Sequence, residues 1–138
     1  MSQDTNVVWL KNIDTLNFKL QYNKKFIPKD LYKYLEITKI EMANPNEPYR
    51  AGCVGQKGVP STRLNWVAKD NQNHLVISIS IGGLAHRTLY FFLDKQSLAY
   101  NINELSFGHD SRELSLGKVV NRIQSKSFEF EEYRATTE

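Results

Sequence analysis

The residues from His74 to Asp94 constrain this chain more than any other stretch. Two runs rich in β-branched and aromatic side chains, His74–Ile81 and Ala85–Leu93, flank Gly82-Gly83. A Gly-Gly pair supplies the positive φ angles of a two-residue hairpin turn without a Cβ clash, so the sequence predicts a hairpin turning on those glycines. In the first run Leu75, Ile77, Ile79 and Ile81 share one face, with Val76, Ser78 and Ser80 on the other. From Leu89 onward the second run is apolar on both faces, the pattern of a central strand covered on two sides.

Flanking segments extend the hairpin into a meander of four strands. Arg63–Lys69 reads as a strand with Leu64 and Trp66 on one side, and Asp70–Asn73 as the turn after it. Asp94–Ser97 reads as a second turn, leading into a strand over Leu98–Ile102. Upstream, Leu16, Phe18, Leu20 and Tyr22 alternate with polar residues, which predicts a strand whose buried face carries both aromatics. Pro28 suits the opening of a helical turn, so Leu31–Leu35 is either a short helix or the entry to a strand. Leu35, Ile37, Ile40 and Met42 slip phase at Lys39, as a bulged strand or a helix handing over to a strand would. Pro45 and Pro48 end that element, Tyr49–Val54 is a short strand candidate, and 55–62 is a loop.

Toward the C-terminus, Leu116, Val119, Val120 and Ile123 follow the i, i+3, i+4, i+7 spacing of an amphipathic helix. The expected span is 112–125, capped by Ser111 or Ser115, with Gly117 weakening the start by about 1 kcal/mol relative to alanine. Phe128 and Phe130 suggest a last strand, and residues 135–138 a frayed end. The expected fold is α+β: a mainly antiparallel twisted sheet of six to eight strands, open or rolled into a half-barrel, with the C-terminal helix packed on it. At 138 residues and 41% hydrophobic content this is one domain with one core, and no linker or repeat divides it.

The single Cys53 excludes an internal disulfide and any Cys-x-x-Cys site, and fits a reducing, cytoplasmic compartment. The first residues show no secretory pattern, and no apolar run approaches the ~18 residues of a membrane span, so a soluble protein is expected. Residues 1–40 hold seven lysines against four acidic residues, so the whole formal excess of +3 is N-terminal. Such segregation suits a phosphate backbone or an acidic partner, although spaced lysines also simply keep a surface wet.

Catalytic patterns are absent. Gly52, Gly55 and Gly58 match neither the dinucleotide nor the phosphate-loop fingerprint, and read as a surface loop. His74, His86 and His109 are 12 and 23 residues apart, so none pairs on one element at ligand spacing. Cys53 sits in no nucleophile motif and reads as a small buried thiol. Neither metal nor cofactor is expected.

Two sets of candidate site residues remain. Lys24, Lys25, Lys29 and Lys33, interleaved with Phe26, Tyr32 and Tyr34, are candidates for contacting a partner or phosphate. His86, Tyr90 and His109 are candidates for the mouth of a ligand pocket on a concave sheet face. The favoured function is a small non-enzymatic protein-binding module. An inhibitor or immunity-type protein that neutralises a toxin or effector is its most concrete form. A ligand-binding or catalytic half-barrel is the alternative, and a weak nucleic-acid binder comes third.

Overall fold

The structure, a computed structural model, describes residues 14–49, 60–82, 87–96, 98–107, 113–125 and 133–136. Its frame is an open sheet. Six strands run antiparallel in spatial order β1 (Lys19–Gln21), β3 (Thr62–Lys69), β4 (His74–Ile81), β5 (Arg87–Gln96), β6 (Ala99–Leu105) and β7 (Tyr133–Thr136). The two-residue β2 (Met42–Ala43) adds in parallel to the outer edge of β3, beyond the end of β1. The sheet does not close into a barrel, since β1 and β2 lie at one edge and β7 at the other.

Among the described residues each face carries one α-helix. On the first, Leu64, Val67, Leu75, Ile77, Ile79, Leu89, Phe91, Leu93 and Ile102 are buried under Ile27 and α1 (Lys29–Leu35), which contributes Leu31 and Tyr32. On the second, Trp66, Ala68, Val76, Tyr90, Phe92 and Leu105 are buried under α2 (Leu116–Ser125). Phe91 and Phe92 are both 0% exposed, on opposite sides of one strand, so β5 is the central strand its composition predicts. Burying a Phe or Leu side chain is worth roughly 1.5–3 kcal/mol, and this double covering is the main driving force of the fold.

The α2 stripe behaves as its spacing predicts, with Leu116, Val119, Val120 and Ile123 all buried. The helix begins later than expected. Ser115 is the cap: its Oγ accepts from Lys118 N at 3.3 Å, and its carbonyl from Val119 N at 3.0 Å. The approach to α2 is tied to the sheet through Leu114, whose carbonyl accepts from Trp66 Nε1 and whose N–H donates to the Tyr90 hydroxyl. One residue thus satisfies the polar tips of two core aromatics.

Register supplies the corrections. Ile81 pairs with Arg87, so five residues, 82–86, connect β4 to β5 where a two-residue turn on Gly82-Gly83 was expected. Gln96 pairs with Ala99, so β5 continues through the predicted turn at 94–97 and only residues 97 and 98 join it to β6. Leu64 pairs with Ile79 and Trp66 with Ser78, so Asn65 is an extra residue in β3. That bulge puts Leu64 and Trp66 on opposite faces, where plain alternation puts them together.

The N-terminal alternation also misleads. Only Lys19–Gln21 is strand, preceded by a 3-10 turn at Thr15–Asn17, and Leu16, Leu20 and Tyr22 are exposed. Phe18 alone packs against the second face. An edge strand of three residues has no layer over it to bury alternate side chains. The 29–43 segment resolves as a helix handing over to a strand: α1, a 3-10 turn at Lys39–Glu41, then β2. Pro28 caps α1 and Glu36 ends it in the left-handed region, at φ 61°. Ala135 and Thr136 belong to β7, where a frayed end was expected. The predicted strand at 128–130, and most of that at 49–54, lie outside the described residues.

Candidate functional site

Where the chain passes over the β1 edge it leaves a shallow groove of about 320 Å³ on the first face. Val67 and Leu75 form its floor, Phe26, Ile27 and Pro28 one wall, and Tyr100 another. Gln21, Lys25 and Lys69 line it as well, and among the described residues no carboxylate does. The walls are held by short-range chemistry. Asn23 caps the 3-10 turn at Lys24–Phe26, its side chain accepting from Lys25 N at 2.9 Å. Asp30 accepts from Tyr100 N at 3.1 Å, which joins α1 to β6. Burial, and then the Asp30 carboxylate, push the Tyr100 phenol above its ordinary value, so it stays neutral at physiological pH.

Two features make this edge unusual. Lys19 and Lys69 are direct cross-strand partners, and like charges placed opposite each other destabilise a sheet. Large apolar side chains are also left in water along this segment; Leu20, opposite Ala68, faces the second side, and Phe26 is the one that lines the groove. Of the six such exposed residues among those described, Leu16, Leu20, Tyr22 and Phe26 fall within this short segment. Lys25 adds a cation 5.4 Å from the Phe26 ring centroid.

The four lysines singled out in the sequence separate. Lys24 is an internal tie, its Nζ donating to Met42 O at 2.7 Å and Lys39 O at 3.0 Å, so its charge holds the covering segment in place. Lys25 stands at the groove, and Lys29 and Lys33 are exposed on α1. Tyr32, on the same helix, is buried, which pushes its phenol up to about 12.

Of the second candidate set only Tyr90 belongs to the described residues. Tyr90 is 1% exposed in the core under α2, with its hydroxyl engaged by Leu114, so it lines no mouth. His86 and His109 lie outside the described residues, as do Cys53 and the glycines at 52, 55 and 58.

The chain matches no protein-family model, no curated protein and no solved structure.

His74, read only as the start of a strand, sits between two carboxylates: Nδ1 is 2.8 Å from Asp70 Oδ2, and Nε2 is 3.6 Å from Asp94 Oδ1. The arrangement closes the β3–β4 turn, because Asp70 Oδ1 also accepts from Gln72 N and His74 N. Among the described residues no group of three or more His, Cys, Asp or Glu is placed to hold a metal ion. No helix among them is long and apolar enough to cross a membrane. Sequence reading missed Lys69, which lines the groove, and its cross-strand partner Lys19. Neither stands out in composition, and only the β1–β3 register sets one opposite the other.

Proposed function

We propose that the chain is a non-enzymatic binding module that docks an acidic protein on the β1-edge groove. The Lys19–Lys69 pair beside an apolar floor carries the reading. In the free chain that pair is a repulsion at a groove whose wall includes the exposed Phe26, and a partner bearing carboxylates beside apolar residues relieves both at once. Phe26, which walls the groove, is the anchor, being large and rigid enough to bury much area at low entropic cost. Lys19, Lys25 and Lys69 supply steering and register, with Lys29 and Lys33 adding to the field from α1. A cytoplasmic inhibitor or immunity-type protein that covers a toxin or effector is the concrete form of this function.

The test is affinity capture from the source cells with the full chain as bait, beside a Phe26→Ala variant. The Phe26 side chain is 39% exposed, so folding is retained. The expected result is one stoichiometric acidic protein on the unmodified bait, released as salt rises and lost from the variant. Equal recovery by both baits, or recovery of a small metabolite alone, overturns the proposal.

A further inference from the structure

On the opposite side of the sheet, beside Glu113 and the approach to α2, the strands carry a polar row. Arg63 pairs across the ladder with Ser80, and Ser80 with Thr88, while Ser78 sits two residues along on the same face. Asn65, the bulged residue, gathers them. Its Nδ2 donates to Ser78 Oγ at 3.1 Å and to Ser80 Oγ at 2.9 Å, and its Oδ1 accepts from Arg63 at 3.0 Å. Asn65, Ser78 and Ser80 are 3%, 0% and 1% exposed, so this is interior chemistry.

The donors and acceptors do not balance. The Arg63 bond fixes the Asn65 amide, because the flipped orientation sets two N–H donors against a guanidinium. Both serine oxygens therefore accept, and each keeps a hydroxyl proton for which no acceptor is found among the described residues. Arg63 Nε is buried and likewise has no partner among them. Buried donors are seldom left this way. The guanidinium is only loosely neutralised, since Glu113, half in solvent, is 3.7 Å away. The guanidinium carbon lies 4.4 Å from the Tyr49 ring centroid, while a quarter of the Arg63 side chain stays open to solvent.

From this geometry we infer a binding site for a small oxyanion, a carboxylate or phosphate group, at Arg63, Ser78 and Ser80, organised by Asn65. A water molecule there must place its own two protons among groups that are themselves donors. A carboxylate or phosphate oxygen accepts from all of them and meets the guanidinium charge as well. The site lies on the other face from the docking groove, so its fate is independent of that proposal.

Solution NMR of the full chain tests it, following the Arg63 Nε–Hε resonance during titration with sodium phosphate or with sodium succinate, ionic strength held constant with chloride. A saturable shift is expected with at least one anion, and the anion that saturates assigns the site to phosphate or to carboxylate. The dissociation constant should rise at least tenfold in Ser78→Ala/Ser80→Ala. Arg63→Lys, which keeps the charge and loses the Nε donor, should weaken binding comparably when followed at the Ser80 amide, and it carries the comparison if the double variant does not fold. No saturation by either anion below about 10 mM, or the same constant in the variants, overturns the inference.

Discussion

Leu64 and Trp66 stand two residues apart in β3 and face opposite sides of the sheet, each fully committed to a different core. Asn65 makes that possible by taking an extra place in the ladder, and its side chain then organises Arg63, Ser78 and Ser80. Asn65→Ala keeps the bulge but strips two buried hydroxyls and a guanidinium of their shared partner. The expected loss is about 2 kcal/mol of unfolding free energy, because buried polar groups then go unsatisfied. Urea denaturation should show it as a lower midpoint with an unchanged slope.

Gly117 offers a gain in the other direction. It lies in the first turn of α2, and a Cβ built on it meets nothing within 4 Å. Gly117→Ala should stabilise the chain by about 0.5–1 kcal/mol, the cost of glycine in a helix relative to alanine. A higher melting temperature with unchanged near-ultraviolet circular dichroism is the expected observation.

Asp70 makes stability depend on acid. Burial works to raise its pKa, but hydrogen bonds from His74 N, Gln72 N and the His74 ring, with the charge of that ring, outweigh burial and hold the carboxyl below its ordinary value. The depressed group binds fewer protons folded than unfolded near pH 4, so its contribution is fully present above the unfolded pKa of about 3.9 and lost as pH falls through the lower folded value. Asp70→Ala should cost about 2 kcal/mol at pH 7. The gap between the two proteins should narrow once the pH drops below about 4, as thermal melts in a pH series would reveal.

The extent to which the fold was legible follows from where packing repeats. β4, the two-sided β5 and the α2 stripe each rest on a pattern several residues long, and the patterns hold. What failed turns on single residues. Nothing about Asn65 announces a bulge, since the extra place exists only against Ser78 and Ile79 on the next strand. The alternation of Leu16, Phe18, Leu20 and Tyr22 is real in the sequence, but a three-residue edge strand offers no second layer to make use of it. Of the candidate site, the lysine-rich segment was visible as charge, whereas the opposition of Lys19 to Lys69 is a fact of register. The buried polar row left one readable trace: Ser78 and Ser80 interrupt an otherwise apolar strand, and alternation alone assigns them to water when both faces are covered.

Lys19→Glu separates folding from binding most sharply. Within the free chain it converts a repulsive cross-strand pair into an attractive one with Lys69, so the variant should gain a few tenths to about 1 kcal/mol of stability, less at high salt. Toward an acidic partner the same change removes a cation and adds a carboxylate opposite the groove residue Lys69, so capture should weaken at least tenfold, about 1.4 kcal/mol or more. A surface kept for solubility alone gives the first effect without the second. A chain that melts higher and holds its partner less well is therefore the signature of a charge pair maintained against stability for the sake of docking, and a variant that melts higher while retaining the partner at full strength would remove Lys19 from the interface.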